Sequence, residues 1–276
     1  MLKLDFNGKL FVVSGASSGI GRILTEKLIA GGCRVIGIGR NEAKFADFKA
    51  FLGGKSDMLE TEIFDVSEEI GWKNLAAKLA ERGAVLNGLI NCAGVFPPFK
   101  KAVDFTVSDI ESVMKTNFLS AVYAVENLLP LLKKSGFPTI VNVSSAAALA
   151  SIVGTSGYSA SKSALKAYTE ILAEELRGKA YVGLVMSGFA RTDIMRSQNT
   201  SFDENKLVKK MSMPADKMAG KIFRGITKKK RRMIFGFDAK ILNFFYKLMP
   251  KTTTRLIAKV LKKSKMKLFE NVFKNN

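Results

Sequence analysis

Tyr158 and Lys162 stand four residues apart, one helical turn, and Ser145 precedes the tyrosine by thirteen residues. The 276-residue chain has no histidine, which excludes His-based triads and His-ligated metal sites. Acid/base work at neutral pH therefore falls to Tyr, Lys, Asp, Glu or Cys. A phenol with an ordinary pKa of about 10 is poorly matched to that task. An ammonium on the same helix face would favour the phenolate and bring that pKa down. A serine hydroxyl beside it would donate a hydrogen bond to negative charge developing on an oxygen.

A second group with chemical content is Ser14-Gly15-Ala16-Ser17-Ser18-Gly19-Ile20-Gly21, which follows an apolar run and opens an amphipathic one. Glycines let a backbone turn sharply and approach a pyrophosphate, whose charge is met by the exposed amides of a helix N-terminus. The spacing is G-x3-G-x-G rather than the general G-x-G-x-x-G; alone, it fits either a phosphate cradle or a structural turn. Asp65-Val66 ends another apolar run, where the carboxylate either accepts from an adenine amino group or caps a helix beginning near Ser67. Asn91-Cys92-Ala93-Gly94 ends a further run, and its small residues leave room for a ribose or for a neighbouring strand. Asn117 falls within a helical pattern, where a buried amide bonds a carbonyl or holds a water.

The elements that must position these residues follow from hydrophobic pattern. Residues 9–13, 34–38, 59–64, 86–91, 139–143, 181–185 and 232–235 read as strands. Between them 20–30, 42–52, 68–80, 107–134 (one helix or two), 158–176 and 214–226 read as helices. Strands apolar at nearly every position, alternating with helices, predict a doubly wound parallel α/β sheet covered on both faces. Residues 188–211 form the one long irregular stretch, expected to be a substrate loop. Composition, 47% hydrophobic and 25% charged, describes a soluble globular chain. No apolar run reaches the roughly 18 to 20 residues of a membrane span, and no long apolar leader precedes Asp5, Asn7 and Gly8, so the chain is expected to be cytoplasmic. Cys33 and Cys92 are expected to be buried thiols.

In this order and spacing, these residues resemble the short-chain dehydrogenase/reductase family over about residues 9–235. The resemblance implies a seven-stranded Rossmann-type sheet, a dimer or tetramer, and a catalytic tetrad of Asn117, Ser145, Tyr158 and Lys162. Tyr158 would then be the general acid/base, and Asn117 would hold a water connecting Lys162 to solvent. Ser144 is the neighbouring candidate, but strand alternation and the thirteen-residue interval favour Ser145. Cofactor contacts are implied for Gly15, Ser17, Ser18, Gly19, Ile20, Gly21, Arg40, Asp65, Val66, Asn91, Ala93, Gly94, Tyr158, Lys162, Gly188 and Thr192. The chain departs from the family pattern at Ser14, usually threonine, at Cys92, usually asparagine, and at Ser187, usually a proline that stiffens the loop contacting the carboxamide.

The second strand ends in Gly39-Arg40. An NAD enzyme of this architecture places a carboxylate there for the ribose hydroxyls, whereas an arginine suits a 2′-phosphate, so NADP(H) is the expected cofactor. The expected reaction passes hydride between nicotinamide and the carbonyl or alcohol of a small apolar substrate, lipid-like if Phe96, Pro97, Pro98, Phe99, Phe189, Met195 and Phe202 line its pocket. A cofactor-sensing regulator and a membrane-recruited binding protein are the alternatives, and neither needs Tyr158 or Lys162.

Charge divides the chain unevenly. Residues 206–276 hold 21 of its 44 Lys+Arg and three of its 24 Asp+Glu, so nearly all of the net +20 lies there. The expected organisation is a catalytic domain over 1–238 and a basic helical extension over 239–276, with amphipathic helices at 239–249 and 255–268. Such helices either lie on an anionic membrane surface or cover the substrate end of the domain. No nucleic-acid-binding module accompanies the charge.

Overall fold

The computed structural model describes residues 5–191, 212–264 and 269–274. In chain order the first half comprises β1 (Leu10–Ser14), α1 (Gly19–Ala30), β2 (Arg34–Gly39), α2 (Glu42–Leu52), β3 (Leu59–Ile63), α3 (Glu69–Glu81) and β4 (Gly88–Asn91). The second half begins with α4 (Val107–Met114), α5 (Ser120–Lys133), β5 (Thr139–Ser145), α6 (Ser156–Glu175) and β6 (Tyr181–Ser187). Two short strands, β7 (Ala190–Arg191) and β8 (Met213–Pro214), pair in parallel, and α7 (Ala215–Thr227) and β9 (Arg232–Phe235) follow. The expected substrate loop thus starts with a strand pairing, and residues 192–211 lie outside those described.

Seven strands form one parallel sheet in the order β3-β2-β1-β4-β5-β6-β9. Adjacent side chains on a strand point to opposite faces, and here both faces are dry. Val13, Val35 and Val185 join Leu24, Leu28, Met218 and Ile222 under α1 and α7. Val12, Ile36 and Val182 join Trp72, Leu75, Leu128 and Leu172 under α3, α5 and α6. The chain builds outward from β1 to β3 and then crosses to β4, so strand order reverses between β1 and β4. A crevice opens at the carboxyl ends of strands at such a switch point. Gly15, Ala93, Ser145 and Ser187 all lie on or just after those ends.

The crevice is drawn tight by Ser14. Its Oγ accepts hydrogen bonds from the backbone N–H of Cys92 at 3.1 Å and of Ala93 at 3.2 Å, tying the end of β1 to the turn after β4. Gly15, at φ +70°, is pressed so closely on Ala93 that a Cβ would come within 2.9 Å of its N and Cα.

The helical pattern over 107–134 resolves into α4 and α5 joined by a π-helical turn at Lys115–Leu119, with Asn117 inside it. Such widened turns recur at functional sites because they re-aim a side chain. The basic extension begins earlier than expected: α8 spans Phe237–Leu248 and α9 spans Pro250–Lys263, with α10 at Glu270–Phe273. Pro250 occupies the first turn of α9, where its missing N–H is not needed, which starts that helix five residues ahead of the expected 255. Phe269 and Val272 pack on Phe99, and Gly154 leaves the space that Val272 fills.

Ser14→Ala leaves two part-buried amides without their acceptor, and we expect it to lower unfolding free energy by about 1–3 kcal/mol. Chemical denaturation of the two proteins checks this, and equal midpoints would show that the Ser14 bonds do not hold β1 to β4.

Candidate active site

Ser145 ends β5 and Tyr158 is the third residue of α6. The Ser145 hydroxyl comes close enough to the Tyr158 phenol to lower its pKa, and both line the same cavity. Ser145 Oγ also accepts from the N–H of Ala147 at 3.2 Å, which fixes its rotamer. Ser144 points the other way, donating to the Lys162 carbonyl at 2.8 Å, and so serves to dock α6 on the sheet. Tyr158 rests edge-on against the Phe96 ring, with centroids 4.5 Å apart.

Lys162 is only 4% exposed, and its Nζ donates to the Val143 carbonyl at 3.1 Å. The ammonium lies 5.9 Å from the centre of the Tyr158 ring. Burial disfavours its charged form and brings its pKa from 10.5 down to about 8. Burial also pushes the Tyr158 phenol above its ordinary value, against the smaller opposing effect of the Ser145 hydroxyl. The lowered phenol expected from the Tyr-x3-Lys spacing is therefore not a property of the protein alone, because loss of water outweighs the effect of Ser145. Cys92 is pushed up to about 12 by burial, so it stays a neutral thiol beside Lys162.

Asn117 reaches the same spot from the π-helical turn. Its Oδ1 accepts from the Val95 N–H at 2.7 Å, and its Nδ2 donates to the Val95 carbonyl at 3.0 Å and to Ser161 Oγ at 3.0 Å. The side chain thus clamps the segment after β4 to α6. Gly94 lies between Asn117 and Lys162: a Cβ there would stand 3.1 Å from Asn117 Oδ1 and 3.3 Å from Lys162 Nζ.

A cavity of about 400 Å³ joins this cluster to the glycine turn. Gly15, Ser18, Gly19, Ile20 and Gly21 line one end, Ala93 and Gly94 the middle, and Ser145, Tyr158, Lys162 and Gly188 the other. Ser18 caps α1 without a side-chain hydrogen bond, leaving the helix N-terminus open toward the cavity. Ser17, Arg40, Asp65, Val66 and Asn91 do not line it. Ser17 packs on Gly39, where a Cβ would meet its Oγ at 3.0 Å and the Phe45 ring at 3.1 Å. Asn91 is buried and donates to Asn142 Oδ1 at 2.8 Å, bracing β4 against β5. Thr192 lies outside the described residues, as do Met195 and Phe202.

Arg40 and Asp65, expected to meet different parts of a cofactor, meet each other: Nη1 donates to Oδ2 at 3.1 Å. Oδ1 of Asp65 takes the Ser67 N–H and hydroxyl in a local turn; it does not cap the helix as the alternative reading had it, because α3 begins only at Glu69 with Glu68 as its N-cap. Burial would raise the Asp65 carboxyl, but the Ser67 bonds and the Arg40 charge outweigh it and hold it below its ordinary value.

Among the residues of the cavity wall that sequence reasoning missed are Lys44, Asp238 and Leu242. Lys44 lies in the first turn of α2, close in sequence to Arg40, and that proximity was the available signal. Asp238 accepts from the Phe189 N–H at 2.9 Å through Oδ2, while its buried Oδ1 has no partner. Burial raises this carboxyl, with the amides of Phe189, Ala239 and Asp238 opposing. Gly188 and Gly236 make room for it, since a Cβ on either would collide with Oδ1.

A sequence profile of the short chain dehydrogenases matches residues 9–202. The chain belongs to the short-chain dehydrogenase family. Among its relatives, SadH of Mycobacterium tuberculosis, named as an oxidoreductase, is 30% identical, with 92% of this chain and 95% of that protein covered. A 3β-hydroxysteroid dehydrogenase of Mediterraneibacter gnavus is 30% identical over 72% of this chain and 71% of its own. A short chain dehydrogenase of Shigella flexneri, solved in complex with NADP, superposes with a TM-score of 0.73 at 25% identity, covering 84% of this chain and 98% of that one. The family assignment accounts for the parallel seven-stranded sheet and for an oxidoreductase function.

The depressed Lys162 gives a pH signature. With a folded pKa of about 8 against 10.5, the unfolded chain binds more protons than the folded one between those values, so this group's contribution to stability rises with pH across that window. We expect the stability of the wild type minus that of Lys162→Met to grow by about 2 kcal/mol from roughly pH 7.5 to pH 10. Denaturant unfolding at both pH values measures it, and a difference that does not change with pH would show that Lys162 is not depressed.

Proposed function

We propose that this short-chain dehydrogenase is an NADPH-dependent enzyme that passes hydride between the nicotinamide and the carbonyl or secondary alcohol of an apolar, lipid-like substrate, with Tyr158 as general acid/base. The observation that carries the reading is the meeting of Ser145, Tyr158 and Lys162 in the wall of one cavity with the Gly15–Gly21 turn. A sensor without turnover would have no use for that group.

The residues fit a dinucleotide. Gly15 and Gly21 have no space for a Cβ, so the backbone of the turn is bare, and the open N-terminus of α1 offers amides to a pyrophosphate. At the far end Gly39 presents no carboxylate, Ser17 occupies the space beside it, and Lys44 supplies a cation. A 2′-phosphate would meet Lys44 in the cavity wall and Arg40, once Arg40 leaves Asp65 for it. The NADP-bound Shigella relative supports the same choice.

When bound, the reduced cofactor supplies the hydride. The chain's own residues do the rest: the Ser145 hydroxyl and the Tyr158 hydroxyl both face the position of the substrate oxygen, one to donate a hydrogen bond and the other to give up its proton. A phenol kept above its ordinary pKa is protonated at neutral pH, as the donor in a reduction must be. Lys162 steadies the phenolate that results, and a water held beside Asn117 would connect Lys162 to the solvent for reprotonation. Phe96, Ile152, Phe189 and Leu242 give the substrate end an apolar wall, which together with the steroid-oxidising relative supports a lipid-like substrate.

Tyr158→Phe should keep NADPH affinity and lose about a hundredfold or more in turnover of a carbonyl substrate found by screening NADPH oxidation. Near wild-type turnover in a chemistry-limited assay would remove Tyr158 from the role. For the cofactor, calorimetric titration should show tighter binding of NADPH than NADH, and Lys44→Ala should weaken NADPH about tenfold or more while leaving NADH nearly unchanged. Equal affinity of the wild type for the two would overturn the NADP(H) reading.

A further inference from the structure

The extension does not choose between covering the pocket and facing outward, because α8 has two sides. Leu242 and Asp238 line the cavity. On the other side Phe237, Ile241, Phe244, Phe245 and Leu248 are exposed, Phe244 by 59% and Leu248 by 62%. Their spacing of i, i+4, i+7, i+8 and i+11 makes one continuous stripe along the helix. Met249 continues it, and Leu256 and Val260 on α9 are exposed as well. A solvated helix would show polar residues there, and an exposed apolar patch of this extent marks an interaction surface.

The same two helices carry an unbalanced charge. Lys240 and Lys247 on α8 and Lys251, Arg255 and Lys259 on α9 are exposed, and Lys262 and Lys263 close the last turn. The one acid between 237 and 263 is Asp238, which is buried. None of these seven cations forms an ion pair with a described residue. Elsewhere on the surface lysines do find partners, as Lys73 with Glu69, Lys78 with Glu62 and Lys166 with Glu170.

We propose that the outer face of α8 and α9 docks on an anionic lipid bilayer. A second copy in a twofold pairing would set seven cations against seven. A nucleic acid would satisfy the lysines and leave the phenyl rings in water. A bilayer with anionic headgroups takes both: apolar side chains enter the boundary between headgroups and acyl chains, and lysine stems lie along them with their ammonium groups among the phosphates. Because the inner side of α8 is cavity wall, docking sets the substrate pocket beside the lipid that would dissolve an apolar substrate; that consequence rests on the oxidoreductase reading, whereas docking itself does not.

Co-sedimentation of the full chain, without cofactor or substrate, with vesicles of phosphatidylcholine and of phosphatidylcholine mixed with phosphatidylglycerol tests this. We expect binding to the mixed vesicles alone and at least about tenfold weaker partition as salt is raised, because surface fields are screened. The variant Phe244→Ser with Leu248→Ser should bind at least about tenfold more weakly at low salt while keeping its melting temperature and its turnover of a water-soluble carbonyl. Failure to sediment with anionic vesicles at low salt overturns the proposal, as does wild-type binding by the double variant. A concentration-dependent dimer in light scattering that the same substitutions abolish would give the face to a second copy and overturn it too. A protein that sediments but oxidises no NADPH keeps the docking and loses the enzymatic reading.

Discussion

The site depends on keeping one ammonium group out of water. Lys162 is buried, and a charge in that position is costly unless polar groups converge on it. The Val143 carbonyl does so directly, which requires β5 to end where it does and α6 to lie against it. Ser144 secures that contact from the sheet and Asn117 secures the segment after β4 from the other side. Gly94 contributes by having no side chain, since any Cβ would stand against both the lysine and the asparagine. Burial leaves the lysine charge easily removed, and a proton that is easily removed suits a relay.

Much of this was legible in the residues. Every long strand and helix was visible as periodicity, because a sheet buried on both faces leaves few polar positions to confuse the pattern. The glycine turn and Tyr158-x3-Lys162 were visible because they are local spacings along the chain. What escaped notice were choices made between distant side chains. Arg40 could pair with a phosphate or with a neighbour, and the neighbour, Asp65, is 25 residues away and reached only through the β2–β3 crossover. Lys44 is one lysine among many until α2 places it in the cavity wall. Asp238 was read only as the last residue of the catalytic domain, with no role, yet it is buried in the wall of the pocket, with Gly188 and Gly236 vacating the space around it.

The basic extension is therefore not an appendage in the mechanical sense. Through Asp238 its first turn holds the N–H of Phe189, just beyond the end of β6, and through Phe269 and Val272 its last turn holds Phe99. The two contacts lie on segments that line or back the same cavity. A force applied to the outer face of α8 reaches the segment after Ser187 through the bond from Phe189 N–H to Asp238 and through the Gly188 N–H, which donates to the Phe235 carbonyl just ahead of α8.

The π-helical turn at Lys115–Leu119 can be viewed as a frameshift in a helix. Each residue of an α-helix advances its neighbours by about 100° around the axis, so one residue too many turns everything beyond it to a new heading. α4 and α5 look like a single amphipathic run in sequence, yet they present their apolar faces in different phases, and Asn117 sits at the slip between them. The carboxamide faces Gly94 because the helix is out of step with itself. Deleting any one residue of the turn would leave a regular helix with good propensity and an unchanged composition, and would swing either Asn117 or the whole of α5 away from its partners. Position in this stretch is thus encoded by residue count as much as by residue type.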